Sequence, residues 1–117
     1  MKTHQQILLV EDDPLIALDM ELQFQEADCE VVGKAFSCEK AVSLLEIVRP
    51  DFAVLDYNLK DGTSKPVARK LKELDIPFCF VTARGAAALR ADNAPEAPVL
   101  SKPFDMRAVA RLMKEAA

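Results

Sequence analysis

The feature that most constrains this chain is a repeated alternation. Short, nearly continuous apolar runs of strand length are separated by longer stretches with helical spacing. QILLVE, EVVGKA, FAVLDY, PFCFVT and APVLS read as five strands, and PLIALDMELQFQEA, CEKAVSLLEIV, SKPVARKLKEL and FDMRAVARLMKEA read as helices between and after them. Runs such as ILLV and FAVL suit strands buried on both faces. Strands alternating with helices call for right-handed crossovers, and therefore for a parallel sheet covered on both sides. No linker or internal repeat interrupts the pattern, and 117 residues fall within the range of one domain.

Local signals punctuate the elements. Pro14 sits in the first turn of the first helix, where a missing N–H costs little, and Ser37 is the expected N-cap of the second. Pro50 and Asp51 break the chain before the third strand. Thr63 or Ser64 should cap the third helix and Asp105 the last. One segment departs from the alternation. ARGAAALRADNAPEA, between the fourth and fifth strands, has almost no large apolar residues, so a fourth helix there is expected to be short, frayed or absent. The first helix carries two apolar stripes. Ile16, Met20, Phe24 and Ala27 form one; Leu15, Leu18 and Leu22 form another, nearly opposite. Only one can face the sheet, and periodicity does not choose.

Composition narrows the function classes. Half of the residues are hydrophobic, 29% are charged and the formal net charge is −4, with no basic stripe of the kind nucleic-acid binders use. No apolar run reaches the length of a membrane span, and MKTHQQ leads into a strand-like run rather than a signal peptide. A cytoplasmic location without membrane insertion is expected. Cys29, Cys38 and Cys79 are odd in number and form no CxxC pair, so they read as buried or half-buried thiols. His4, the single histidine, falls in the terminal stretch and is not expected to be catalytic.

Chemistry gathers at the strand ends. In an open parallel sheet the ligand site lies beyond the carboxyl ends of the strands. The first strand ends in Glu11, Asp12 and Asp13, the third in Asp56, the fourth in Thr82, and the fifth in Ser101 and Lys102. Asp56 taken alone could be a solvated turn residue. Placed beside the other carboxylates it belongs to a cluster that should not ionise fully without a cation, and hard oxygen ligands of this kind suit Mg²⁺. A lysine and a hydroxyl at the same point supply what an incoming phosphoryl oxygen needs, which makes the carboxylate a nucleophile for phosphoryl transfer.

Four pieces, VEDDP, VLDYNLKDG, VT before a small residue, and SKPF, stand in order, each at a strand end. Together they resemble the receiver domain of two-component response regulators over essentially the whole chain. The resemblance implies one receiver domain over residues 1–117 with a flavodoxin-like α/β fold: a doubly wound five-stranded parallel sheet of order 2-1-3-4-5, with a short or disordered helix 4. It implies Asp56 as phosphoacceptor, Asp12 and Asp56 as direct Mg²⁺ ligands, Glu11 acting through metal-bound water, and the backbone carbonyl of Asn58 completing the set. Thr82 would hydrogen-bond one phosphoryl oxygen and Lys102 pair with another. The Lys102–Pro103 bond would be cis, and Asp13 would have a supporting or solvated role. The partner would be a sensor histidine kinase or histidine phosphotransfer protein, with output through protein contacts. Enzymatic activity would not go beyond self-phosphorylation from small phosphodonors and autodephosphorylation.

Departures from the common pattern sharpen the expectations. Val99 stands where many receivers carry a rotating aromatic, so phosphorylation is expected to reorganise residues 84–97 instead. PFCFVTARG resembles the PFxFATG-like motif of mostly single-domain receivers that partner with HWE-type kinases, although Val81, Ala83 and Arg84 depart from it. Lys60 replaces a common proline, which should loosen the turn after Asp56. The resemblance favours Ile16, Met20 and Phe24 as the core stripe. That leaves Leu15, Leu18 and Leu22, with Arg84, Pro103 and Phe104, as candidate docking residues, against coverage by neighbouring side chains or a solvated Arg84. Two other classes compete. A phosphorylation-independent adaptor is disfavoured by the complete acidic, hydroxyl and lysine set. An aspartyl-nucleophile phosphatase would need a DxDxT-like first strand, and EDDP stands there.

Overall fold

The computed structural model describes residues 5–116, so His4 lies outside the described residues. The main sheet holds β1 (Gln5–Val10), β2 (Cys29–Ala35), β3 (Phe52–Asp56), β6 (Phe78–Thr82) and β7 (Val99–Ser101), in the order β2-β1-β3-β6-β7 and parallel throughout. A two-residue antiparallel ribbon, β4 (Asn58–Leu59) with β5 (Gly62–Thr63), accounts for the gap in numbering; without it the order is the expected 2-1-3-4-5. The helices are α1 (Pro14–Glu26), α2 (Cys38–Leu44), α3 (Lys65–Glu73), α4 (Ala86–Ala91) and α5 (Met106–Ala116).

The sheet divides its side chains between two cores. Ile7, Leu9, Phe52, Val54, Cys79 and Val81 face one side, where Met20 and Phe24 of α1 and Val109 and Met113 of α5 cover them. Leu8, Val10, Ala53, Leu55, Tyr57 and Phe80 face the other, under Cys38, Ala41 and Leu45 of the α2 region, Val67, Ala68 and Leu71 of α3, and Leu89 of α4. This two-sided burial is why the strands read as unbroken apolar runs rather than alternating ones. Phe78 and Phe80 pack edge-to-face at 5.5 Å, the core role their spacing suggests.

Several caps form as read, and others differ. The Ser37 side chain accepts from the Lys40 amide, and Asp105 accepts from the Arg107 amide at 2.8 Å. Asp13, given only a supporting or solvated place, is the N-cap of α1 and accepts from the Leu15 and Ile16 amides. Ser64 occupies the cap position of α3 without capping it, and its buried Oγ has no partner; the Thr63 hydroxyl accepts from the Lys65 amide at 3.4 Å instead. Asp61 reaches across to α2, accepting from the Cys38 amide at 3.0 Å and the Glu39 amide at 3.3 Å. Gly62 beside it has φ +131°, a conformation that side chains disfavour.

One expectation about helices is corrected and another is narrowed to one of its alternatives. Ile16 does not join the core stripe of α1: it is 42% exposed, and Ala17 turns inward with Met20 and Phe24. Two stripes on one helix leave a weak directional signal, and a shift of one residue decides which side chain points inward. In residues 84–97 the short form of the fourth helix is the one observed. α4 is short, but it forms, and Leu89 is buried in the core.

Candidate functional site

Strand register builds the site. Val10 lies opposite Leu55, so Glu11 and Asp56 emerge side by side; Asp56 lies opposite Val81, and Thr82 opposite Ser101, which delivers Lys102 next. The Lys102 amide donates to the Thr82 carbonyl at 2.9 Å, carrying the alignment one residue past the strand. The Lys102–Pro103 peptide is cis, as expected.

The carboxylates converge. Glu11, Asp12 and Asp56 each offer an oxygen, and the three oxygens lie within 4.8 Å of one another. Glu11 and Asp56 are buried and Asp12 is half-buried. Burial pushes the Glu11 carboxyl up to about 7; the Asp13 amide, donating to Oε2 at 3.2 Å, opposes this, and the negative charge of Asp56 reinforces it. Lys102 is the internal counter-ion. Its Nζ lies 3.3 Å from Asp56 Oδ1 and 3.5 Å from Glu11 Oε1. Desolvation works against its charge, but the Asp56 and Glu11 carboxylates outweigh it and hold the ammonium pKa above its ordinary value.

The donor set fits a hard divalent cation. Three carboxylates close together, one held protonated into the neutral range by burial and a like-charged neighbour, are a group that a small dication would relieve. Asn58, the remaining proposed ligand, is exposed and opens β4 two residues after Asp56. Thr82 is buried at the same rim, and its Oγ1 accepts from the Arg84 amide at 3.0 Å.

The other candidate residues fall into three places. Leu15, Leu18 and Leu22 are exposed on α1, at 77%, 46% and 50%. Pro103 and Phe104 line a cleft of about 350 Å³ with Ile16, Asp19, Met20 and Gln23, and Glu11 and Lys102 also line it. Arg84 is exposed, and its charge is felt on the opposite side of the site, at Tyr57 and Asp92.

Sequence reasoning passed over Tyr57. It is fully buried, packs edge-to-face on Phe80 at 5.3 Å, and hydrogen-bonds through its hydroxyl to the Asp92 carboxylate. The signal was available: a tyrosine ending an apolar run must bury a hydroxyl that needs a partner. Among the described residues no helix is long and apolar enough to cross a membrane.

Comparison with known proteins agrees with this geometry. Residues 7–114 match the family model described as response regulator receiver domain. The chain is 32% identical over 114 residues to the phyllosphere-induced regulator PhyR of Methylorubrum extorquens, an alignment covering 95% of this chain and 43% of that regulator. The solution structure of SdrG from Sphingomonas melonis is 38% identical, with a TM-score of 0.75 and 99% and 98% of the two chains covered. A crystal structure of the anti-anti-sigma factor PhyR from Bartonella quintana is 28% identical with a TM-score of 0.83, covering 99% of this chain and 48% of that one. With the family model spanning nearly all of the sheet and the strand-end residues gathered at one point, the chain belongs to the response regulator receiver domain family of two-component signalling.

Proposed function

We propose that the chain is a phosphoacceptor switch in which Asp56 takes a phosphoryl group from a sensor histidine kinase or a histidine phosphotransfer protein. The observation that carries this reading is the placement of Lys102 Nζ 3.3 Å from Asp56 Oδ1, inside a cluster of three carboxylates. Asp56 attacks phosphorus as the P–N bond of the donor phosphohistidine breaks, and the leaving imidazole takes up a proton. Lys102 stays charged throughout and moves its pairing from the Asp56 carboxylate to a phosphoryl oxygen. Thr82, buried at the rim, turns its hydroxyl proton toward another phosphoryl oxygen. Asp12, Asp56, Glu11 through water, and the Asn58 carbonyl would hold Mg²⁺, which when bound supplies positive charge to the transferring group.

The message then leaves by protein contacts. The exposed leucines of α1 and the Pro103–Phe104 cleft flank the site and suit a docking kinase or phosphotransfer protein. We read the chain as a receiver near the HWE-kinase-partnered subfamily. A relative described as an anti-anti-sigma factor supports output to a protein rather than to DNA. The test is phosphoryl incorporation from a small phosphodonor with Mg²⁺, counted by intact mass. One phosphoryl group is expected on the native chain and none on Asp56→Asn; equal labelling of the two would sink the assignment.

A further inference from the structure

Tyr57 follows Asp56 directly and is held on both sides of its backbone. Its amide donates to the Val81 carbonyl at 3.1 Å, and its carbonyl accepts from the Ser64 amide at 2.9 Å. The phenol hydroxyl donates to the carboxylate of Asp92, the C-cap residue of α4. Lys65, at the start of α3, closes the group: its Nζ donates to the Asp92 carbonyl at 2.9 Å and lies 3.6 Å from the carboxylate. The end of β3, the start of α3 and the end of α4 therefore meet through three side chains.

α4 needs such a tie. Six residues are too few for a helix to be stable on its own, and Leu89 is its one buried residue. Asn93, next in the chain, turns it with φ 60°, and the Ala94 amide returns to the Leu89 carbonyl at 3.0 Å. Val99, opposite Phe80 in the β6–β7 pairing, is half-buried and offers no ring that could swing between two positions. The buried aromatic nearest in sequence to the phosphoacceptor is instead Tyr57, and its hydroxyl already holds the end of the short α4.

We propose that Tyr57 is a positioning residue that latches α4 through Asp92 and carries changes at Asp56 to residues 86–94. The inference rests on the phosphoacceptor reading of Asp56. Rearrangement at Asp56 shifts the β3 end, the phenol follows its backbone, and the Tyr57–Asp92 bond passes the shift to α4 as a change in the population of its docked state.

The test is amide hydrogen exchange of the whole chain with and without beryllofluoride and Mg²⁺, a phosphoryl mimic whose uptake is followed separately by fluorine NMR. Tyr57→Phe keeps the ring on Phe80 and removes only the hydroxyl. Losing one hydrogen bond should speed exchange over 86–94 by about fivefold in the free protein, with β1 and β3 amides unchanged. The variant should still take up beryllofluoride, yet lose most of the response that the native chain shows at 86–94. Asp92→Ala should reproduce this behaviour, and Asp92→Asn, which keeps an acceptor, should restore much of the native response. Native exchange at 86–94 in Tyr57→Phe, or a full response there, overturns the latch. A native chain that takes up no beryllofluoride defeats the phosphoacceptor reading and the coupling together; uptake with no response at 86–94 defeats the coupling alone.

Discussion

The central strands of the sheet and its β7 edge are built to different standards. On the acidic side, Ile7 to Val10 of β1 and Phe52 to Leu55 of β3 are at most 2% exposed, and Glu11 and Asp56 continue directly from those strands. On the far side, β7 has three residues, none of them fully buried, and α4 has six, of which only Leu89 is. The contrast separates two requirements. Carboxylates that share a cation must be held to within a fraction of an ångström, and dry, two-sided strands give them a rigid base. A surface that changes with the state of the site must have a low cost of rearrangement, and sparse burial provides that.

The strongest way to break the comparison is a pair of cavity substitutions. Leu55→Ala, in the middle of β3, is expected to cost about 2–5 kcal/mol of global stability. Leu89→Ala should cost less globally and act mainly by speeding amide exchange over 86–94. Equal losses in chemical denaturation would mean that α4 belongs to the same cooperative unit as the central strands.

A smaller effect is expected at the cation site. Asp12→Ala removes one carboxylate from the cluster and should weaken Mg²⁺ binding by about tenfold, ~1.4 kcal/mol, with the fold intact. Unchanged affinity in a titration would place the cation elsewhere.

The remaining effect is a pH slope. Glu11 holds its proton more tightly in the folded chain, at about 7 against an ordinary 4.5, so unfolding releases a proton between those values and stability falls as pH rises through that window. Mg²⁺ favours the ionised carboxylate and should flatten the slope. Melting temperatures measured in chelator and in Mg²⁺, each as the difference from Glu11→Gln, test this. A Glu11-dependent stability that rises with pH in chelator contradicts it.

The acidic side was far more legible in the sequence than the other. Its strands are continuous apolar runs with the acids directly after them, and the threonine and lysine end the next two strands, so register alone brings them together. What escaped depended on tertiary choice. Ile16 and Ala17 differ by one step around α1, and a helix apolar on two sides does not say which faces the sheet. Tyr57 and Asp92 are 35 residues apart, and the acid sits in a stretch whose composition suggested little order. Leu89 was the one anchor there, and a single leucine makes no stripe.

Asp61 has a consequence for the order in which the chain assembles. α2 has seven residues, too few to persist alone, and its Cys38 and Glu39 amides are satisfied by a carboxylate 23 and 22 residues downstream. That carboxylate is in place only after β3 and the turn beyond it have formed. α2 should therefore be a late helix that consolidates on the far side of the folding barrier. Asp61→Ala is expected to raise the unfolding rate and leave the folding rate nearly unchanged, a φ-value near zero. A φ-value near one would make the helix and its distant cap part of the nucleus.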